Sequence, residues 1–324
     1  MGSMYIFEPD VYISKDGGEL KVSRRAGREL LKSKPLMHVS EVVVFGNAVV
    51  TPSALYGLVE QGSSVHYLTR GGTYFAQVSP LENKNVLVRL EQYQAHLNPE
   101  KKLSLAKSFV LGKITNAATF AKRSDADVSD MLSLKKSIEN CQDLEVLRGL
   151  EGNAARIYFA LIKDKFPSQF APECRSKRPP RDIANSLLSL AYTFLSKECQ
   201  TAVRIAGLDP YIGFLHEVKY GKPALALDLM EEFRSIIADS VVLSLFNRNM
   251  VTESDFETSE GFPKCTEEGF KQFLRAWEER LNQTVRHPLL KQKLDYRQIM
   301  TAQARILGKY LMGELEAYIP FTVR

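Results

Sequence analysis

Short runs of alternating apolar and polar residues fill the first 80 positions of the chain, and turn residues such as Gly17-Gly18 separate them. The runs are Tyr5–Phe7, Val11–Ile13, Glu19–Val22, Val42–Phe45, Ala48–Val50, Ser64–Leu68 and Tyr74–Val78. This period of two, broken by Gly and Asn, predicts strands and hairpins. One helix interrupts them, with Thr51 as its N-cap, Pro52 at its first position and Gly62 beyond its end. We therefore predict a small β-rich domain over residues 1–80.

Beyond Ser79-Pro80 the apolar residues recur every three or four positions, which predicts helices. The predicted helices span roughly 98–123, 128–140, 143–166, 180–199, 224–247, 266–283 and 294–318. Polar or Pro- and Gly-containing loops separate them. The predicted fold class is thus α+β, with the β-rich domain followed by a larger all-α domain over residues 81–324.

Composition narrows the class of protein without identifying it. Of the 324 residues, 44% are hydrophobic and 25% are charged, which is usual for globular proteins and excludes disordered or collagen-like chains. The longest apolar stretch, Ser235–Phe246, contains Asp239 and is too short to span a bilayer. Four scattered cysteines without a C-x-x-C pair argue against structural zinc and indicate reducing conditions. We expect a cytoplasmic protein with no membrane association, whose net charge of +5 permits DNA binding without requiring it.

An acidic residue interrupts the apolar stripe of the helix predicted at 143–166. Glu151 falls in line with Leu147, Ala154 and Tyr158, where a carboxylate would be buried. A buried charge without a partner costs several kcal/mol, so a partner is required. Gly149 and Gly152 flank it and suggest the close approach of another backbone or of a ligand. The alternative is a structural salt bridge to an arginine of the core.

The helix predicted at 224–247 shows the same anomaly. It is apolar almost all round, which predicts burial, yet it carries Asp228 and Glu231 three positions apart. Two like charges at this spacing are unfavourable unless a cation lies beside or between them. The cation could be a bound metal ion, or the acids could simply pair with Arg234.

His216 lies twelve residues before Asp228, in an apolar setting. A lone histidine of this kind is usually structural. One imidazole together with two or three carboxylates is, however, a ligand set suited to octahedral Mn²⁺ or Mg²⁺. Such an ion could hold a phosphodiester and activate a water or a sugar hydroxyl.

A basic loop follows the helix that carries Glu151, and it contains four prolines and two aromatic residues, Phe166 and Phe170. Its candidate phosphate-binding residues are Lys163, Lys165, Arg175, Lys177, Arg178 and Arg181. Basic side chains of this density can bind DNA backbone phosphates. A solvated surface loop is the alternative.

Taken together, these segments resemble the CRISPR adaptation endonuclease/integrase family, the larger subunit of the spacer-acquisition complex. The matching stretches are GLEGNAARIYFALI (149–162), RPPRDIANSLLSLAY (178–192), GLDPYIGFLHE (207–217), PALALDLMEEFR (223–234) and QARILGKYLMGE (303–314). PLMHVSEVVVFGNAVVTPSALYGLV (35–59) resembles the N-terminal domain of the family. The resemblance covers nearly the whole chain, and the order and spacing of separate motifs agree.

The resemblance implies that the β-rich domain dimerises and that the helical domain is catalytic. It implies Glu151, His216 and Glu231 as catalytic metal ligands for Mn²⁺ or Mg²⁺, with Asp228 at a further acidic position. The implied activity is metal-dependent cleavage and joining of double-stranded and branched DNA, in which a 3′-hydroxyl attacks a repeat phosphodiester. The implied partners are a second copy of the chain and the small second adaptation protein of a prokaryotic cell.

Two other hypotheses remain open at this point. The chain could be a non-catalytic DNA-binding scaffold whose acids pair with arginines. It could also be a helical metal-dependent hydrolase of small phosphoesters. Metal titration separates the scaffold from the two enzymes, and the choice of substrate separates the enzymes from each other.

Overall fold

The computed structural model describes residues 2–70, 74–80, 85–123, 126–177, 179–259 and 261–323. These residues form two compact units, Met1–Glu82 and Asn83–Arg324. Strands dominate the first unit and helices dominate the second, so the predicted α+β fold class is confirmed.

Two four-stranded sheets build the first unit. One has the order β1 (Gly2–Ile6), β5 (Val39–Phe45), β7 (Ser64–Leu68) and β8 (Tyr74–Val78). The other has the order β4 (Leu30–Pro35), β3 (Glu19–Arg24), β2 (Val11–Asp16) and β6 (Ala48–Val50). The pairs β1–β5, β5–β7 and β2–β6 are parallel, and the other pairs are antiparallel. Inward side chains such as Ile6, Ile13, Val22 and Val44 form the core of this unit.

The helix α1 (Pro52–Glu60) begins as the sequence predicts, because the Thr51 hydroxyl accepts a hydrogen bond from the Ala54 amide at 3.3 Å. Strand β4 was not predicted. Its sequence, LLKSKP, has no clean alternation, because it is an exposed edge strand, and charged residues there discourage pairing with other chains.

The second unit contains the helices α2 (Val86–Leu97), α3 (Pro99–Lys122), α4 (Ser129–Asn140), α5 (Leu144–Lys163), α6 (Ile183–Ile205), α7 (Ala224–Met230), α8 (Ser240–Asn247), α9 (Glu267–Leu281) and α10 (Tyr296–Leu311). All but α2 fall within or close to the predicted ranges. The pattern missed α2 because its buried residues include Gln92, whereas Leu87, Leu90 and Leu97 are exposed. No helix among the described residues is long and apolar enough to cross a membrane.

The single helix predicted at 224–247 is wrong, because the backbone changes its geometry after Met230. The amides of Glu231, Glu232 and Phe233 bond to carbonyls three residues earlier, and a π-helical segment, Arg234–Asp239, follows before α8. Short π segments are common at functional sites. This change of backbone geometry begins at Glu231, one of the two acids that the sequence singles out in this helix.

Two short hairpins and a terminal segment complete the second unit. The hairpins are β9 (Phe256–Ser259) with β10 (Phe262–Cys265), and β11 (Thr284–Arg286) with β12 (Lys293–Asp295). The segment 318–323 packs back onto α3: the buried Asn116 side chain donates to the Phe321 carbonyl at 2.8 Å and accepts from the Val323 amide at 2.9 Å. This segment therefore belongs to the core of the unit.

Candidate active site

Glu151 lies where the apolar stripe predicts it. Asp143 caps α5 through bonds from the Glu145 and Val146 amides, and Leu147 and Ala154 are buried on the same face. The Glu151 side chain is 26% exposed and pairs with Lys113. The carboxylate therefore stands at the border between the core and solvent, with a cation beside it.

The two glycines beside Glu151 face open space. A methyl group built on Gly149 or Gly152 would meet no described protein atom within 4 Å. The alternative in which another backbone packs against them is therefore wrong. The two glycines lie on the exposed face of α5.

Lys113 is a site residue that the sequence analysis missed. It lies in the middle of α3 between the buried residues Val110 and Ala117, and its side chain is buried. Its ammonium pairs with Glu151 and lies 2.6 Å from Glu231 Oε2. The sequence does indicate this residue, because a lysine at an apolar position of a helix is predicted to be buried. A buried ammonium needs a carboxylate partner, just as a buried carboxylate needs a cation.

Glu231 is the most enclosed acid of the group, with 2% of its side chain exposed. Arg234 donates to its Oε1 at 2.8 Å, and Lys113 faces its Oε2 without a hydrogen-bonding angle. Burial alone would raise the pKa of Glu231. The charges of Arg234, Lys113 and His216 outweigh burial and hold the pKa well below its ordinary value. Glu231 is therefore ionised in the folded protein, and the Arg234 pair that the sequence offered as an alternative is present.

Asp228 organises the loop that carries His216. Its fully buried carboxylate accepts hydrogen bonds from the amides of Phe214, Leu215 and His216 at 2.5, 3.0 and 2.9 Å. It also lies 2.7 Å from His216 Nδ1. Four donors occupy both oxygens, so Asp228 fixes the ring of His216 with Nδ1 protonated. The other ring nitrogen, Nε2, lies 3.9 Å from Glu231 Oε1. In the neutral tautomer with the proton on Nδ1, Nε2 is the nitrogen that carries the lone pair.

Glu232 turns away from its neighbour, toward the 318–323 segment. It accepts hydrogen bonds from the Tyr318 hydroxyl, from the Phe321 amide at 2.7 Å and from Gln303 at 3.0 Å. Burial raises the pKa of Glu232 to about 7, although these bonds oppose the rise. The two adjacent acids therefore differ in their contacts. Glu231 pairs with the cations of the site, whereas Glu232 binds the 318–323 segment.

The donor set fits a divalent metal ion, with one condition. One imidazole nitrogen and two carboxylates are ligands that Mn²⁺ and Mg²⁺ accept, and Glu231 Oε2 is buried without a hydrogen-bond partner. Within the described residues, however, no three His, Cys, Asp or Glu side chains are close enough to hold an ion as they stand. The Lys113 ammonium stands between the two glutamates, so metal binding requires it to move aside.

A basic cavity of about 470 Å³ adjoins these carboxylates. Of the predicted phosphate-binding residues, Lys163, Arg175 and Lys177 line it, together with Lys113 and Arg234. Lys165 and Arg181 are not among its lining residues, and Arg178 lies outside the described residues. The cavity therefore joins part of the predicted basic loop to the acids.

The aromatic residues of this region are structural. Phe166 and Phe170 pack against Phe246 in the core, with ring centroids 5.7 and 4.7 Å away, so their predicted place on a nucleic-acid surface is wrong. Both rings come after the end of α5 in the chain and are buried, so they contribute to the core rather than to the surface.

Tyr192 and Asp239 brace the wall of the cavity. The guanidinium of Arg234 lies 4.3 Å from the centre of the Tyr192 ring, and that of Arg175 lies 5.3 Å away. The hydroxyls of Tyr192 and Tyr158 donate to Asp239 at 2.6 and 2.8 Å. Burial raises the pKa of Asp239, and the two tyrosine bonds reduce that rise. The two arginines are thereby held at fixed positions.

Comparisons with known proteins identify relatives across the chain. A sequence profile of the family described as CRISPR associated protein Cas1 matches residues 4–279. A Thermus thermophilus protein named CRISPR-associated endonuclease Cas1 3 is 55% identical over 327 residues, which cover 100% of this chain and 98% of that protein. A Methanospirillum hungatei protein named CRISPR-associated endonuclease Cas1 4 is 35% identical over 98% of this chain and 90% of its own length.

Solved structures show the same fold. A Cas1 protein from Thermotoga maritima has a TM-score of 0.84 at 26% identity, with 98% of both chains covered. A casposase bound to an integration product has a TM-score of 0.85 at 23% identity, with 98% of this chain and 93% of that chain covered. The two-unit architecture is therefore shared by proteins of widely diverged sequence.

Proposed function

The chain belongs to the Cas1 family of CRISPR-associated proteins, and from this premise we propose that it is a metal-dependent DNA endonuclease and integrase. It inserts new spacer DNA into a CRISPR array and so serves antiviral defence. The support is twofold: relatives across the whole chain are named Cas1 endonucleases, and a structural neighbour is a casposase bound to an integration product.

One observation carries the proposal. Glu151, His216 and Glu231 come from three separate segments of the chain, yet both glutamates pair with Lys113 and His216 Nε2 lies 3.9 Å from Glu231. Lys113 also lines the basic cavity. Lys113 and Arg234, the cations that pair with these carboxylates, line that cavity. Carboxylates beside a basic cavity suit chemistry on a phosphodiester.

In this proposal Glu151, Glu231 and His216 Nε2 hold the Mn²⁺ or Mg²⁺ ion. Asp228 holds His216 in the required tautomer and does not need to ligate. When bound, the ion supplies Lewis-acid polarisation of a phosphodiester and lowers the pKa of an attacking hydroxyl. Lys113 supplies a positive charge between the glutamates in the absence of the ion, which keeps two buried like charges tolerable.

The basic cavity orients the DNA. Lys163 and Lys177 lie on its wall and can neutralise backbone phosphates, whereas Arg175 is committed to Asn185 and Ser189 and shapes the loop. Arg234 stays charged against Glu231 and presents its remaining donors to the cavity. The attacking 3′ oxygen then forms a bond to phosphorus as the 3′ oxygen of the repeat leaves.

Strand transfer from a labelled duplex tests the proposal. With Mn²⁺ present, the protein is expected to join a fragment ending in a 3′-hydroxyl to a repeat-containing target and to give a longer labelled strand. A fragment ending in a 3′-deoxy sugar is the matched control, because it lacks the nucleophile and should give no product. EDTA should abolish joining and leave DNA binding in place.

The same assay separates the other two hypotheses. The cation pairs of Glu231 are also what a non-catalytic scaffold would show, and a scaffold would bind DNA with no joining at any metal concentration. A hydrolase of small phosphoesters would cleave p-nitrophenyl phosphate and ignore the duplex. Either result would contradict the integrase proposal.

We further propose that the chain works with the small adaptation protein Cas2 on double-stranded and branched DNA. Two structural neighbours are Cas6-RT-Cas1–Cas2 complexes, and a third is a Cas1–DNA complex. Because these neighbours share 16–22% identity with this chain, they support the fold, and the partners are carried over as a proposal.

The first unit is proposed to form a homodimer. Met37, Tyr56 and Phe75 are 65%, 65% and 82% exposed, and such apolar side chains can be covered by a second copy of the chain. The edge strands β4 and β8 also have one unpaired side within the described residues. Sedimentation equilibrium at micromolar concentration is expected to give twice the chain mass of 36.6 kDa. A monomer under these conditions would contradict dimerisation through this unit.

A further inference from the structure

A second basic cavity of about 500 Å³ lies in the helical unit and shares no lining residue with the cavity beside the carboxylates. We call it the hairpin pocket, because the β11–β12 hairpin lines it together with the end of α3 and the 318–323 segment. Four of its lining residues are cationic, namely Arg123, Arg280, Arg286 and Lys291, and no Asp or Glu is among the described residues that line it. The proposed chemistry of the carboxylates uses none of them.

Arg280 is a partly buried cation that pairs with no carboxylate among the described residues. Its Nε and Nη2 donate to the Ile236 carbonyl, its Nη1 donates to Gln283 at 2.6 Å, and its guanidinium lies 5.0 Å from the centre of the Tyr296 ring. These partners are all neutral. Burial lowers the pKa of Arg280, Tyr296 opposes the change, and the charge of Arg123 adds to it. A desolvated cation beside a second cation is stabilised by an anion, and the described lining residues do not supply one.

Hydrogen bonds within the hairpin turn fix the backbone that carries Arg286 and Lys291. Nδ1 of the buried His287 accepts hydrogen bonds from the Leu289 and Leu290 amides, each at 3.2 Å, which leaves Nε2–H to donate to Gln303 at 3.0 Å. Lys291 has a left-handed backbone with φ of 59°, and its carbonyl accepts from Arg286 Nε at 3.2 Å. The pocket thus has a rigid turn on one side and a buried guanidinium on the other.

The charge of the pocket selects its ligand. Arginine forks bind phosphate oxygens in pairs, and a phosphate supplies the negative charge that Arg280 lacks. Four cations exceed the charge of one inorganic phosphate, and Arg123, Arg286 and Lys291 are exposed at the outer side. Successive phosphates of a nucleic-acid backbone match such an arrangement better than one small anion does.

We propose that the hairpin pocket binds backbone phosphates of DNA, as a contact distinct from the cavity beside the carboxylates. This inference rests on the proposed function, since it assumes a DNA substrate. The contact reads no bases, so it positions the duplex and strengthens binding equally on unrelated sequences. Arg280 connects the pocket to the π-helical segment through the Ile236 carbonyl, which makes the pocket part of the support of the carboxylates.

The test compares three double variants of the full chain by DNA affinity at several salt concentrations. The pocket variant is Arg286→Gln/Lys291→Gln, the charge-matched control is Arg275→Gln/Arg305→Gln at two exposed positions outside both cavities, and the reference is Lys163→Gln/Lys177→Gln. Each lost phosphate contact lowers the log–log salt slope by about 0.9. The pocket variant and the reference are expected to lower it by about 1–2, and the control to leave it unchanged.

An unchanged slope in the pocket variant, with a lowered slope in the reference, would overturn the inference alone. Thermal shift with inorganic phosphate provides a second measurement. If phosphate stabilises the wild type but not the pocket variant, and the salt slope of the pocket variant is unchanged, the pocket binds a small anion. That result would also overturn the inference. A wild type that binds no DNA would instead refute the proposed function. If the salt slope falls equally in the pocket variant and in the charge-matched control, the change comes from net charge alone. That result would contradict DNA binding by the hairpin pocket.

Discussion

Replacing Glu231 with glutamine is expected to lower Mn²⁺-dependent strand transfer by more than about 100-fold, since even the loss of groups behind a metal ligand costs 10–100-fold. Glutamine keeps the size of the side chain but cannot supply an anionic oxygen. DNA binding should persist, because the substitution removes a negative charge beside a basic cavity. Strand transfer and DNA affinity are measured on the same preparation.

Glu217→Gln is the matched control for this variant. Glu217 is exposed next to His216 and pairs with Lys219 at 2.9 Å, so its loss should leave strand transfer unchanged. Full activity of Glu231→Gln would remove Glu231 from the site, and equal losses in both variants would show a general effect of charge.

The same substitution should destabilise the protein. The sequence suggested that removing an inward acid relieves repulsion between like charges. The structure instead surrounds Glu231 with Lys113 and Arg234, so glutamine leaves two buried cations without their shared partner. Breaking a buried pair costs about 3–5 kcal/mol, and the variant should lose about 3 kcal/mol at pH 7. Because the pKa of Glu231 is lowered in the folded state, this contribution is present above the ordinary carboxylate pKa of about 4.3 and disappears as the pH falls below it.

The second large effect is expected from Asn116→Ala. The Asn116 side chain is fully buried, donates to the carbonyls of Glu232 and Phe321 at 2.7 and 2.8 Å, and accepts from the Val323 amide at 2.9 Å. Alanine leaves three backbone groups without partners, each at a cost of about 1–3 kcal/mol, so the free energy of unfolding should fall by about 3–5 kcal/mol. Urea unfolding at pH 7 measures the loss.

Thr119→Ala provides the comparison on the same helix. Its hydroxyl donates to the Thr115 carbonyl at 2.8 Å, within α3, and its loss should change the free energy of unfolding by less than about 1 kcal/mol. If the two variants were equally stable, the 318–323 segment would not be part of the cooperative core.

The sequence allowed good prediction wherever the information was local. Glu151 stood out because helical periodicity shows which face of α5 is buried, and Thr51 stood out because an N-cap needs only its own next turn. Composition and period together were enough for the α+β class. The family resemblance then connected Glu151, His216 and Glu231, which no local pattern links.

What the sequence did not reveal depends on contacts between distant segments. Lys113 meets Glu151 across 38 positions, and no period within α3 indicates which carboxylate it faces. The π-helical segment after Glu231 replaces a helix that apolar spacing predicts without interruption, since spacing records burial and not the choice of carbonyl acceptor. Phe166 and Phe170 were assigned to a surface because a proline-rich loop resembles an exposed one, whereas both rings fill the core.

The contacts behind the carboxylates also bear on the order in which the molecule folds. Asn116 and Phe321 are 205 positions apart, and Glu232 lies 86 positions from Tyr318. Closing such long loops costs entropy that the contacts repay only once both ends are in place, whereas helices form from neighbours. The carboxylates therefore assemble after the helices that carry them. A chain that has formed only its helices lacks these contacts, so the arrangement of the carboxylates depends on completion of the whole fold.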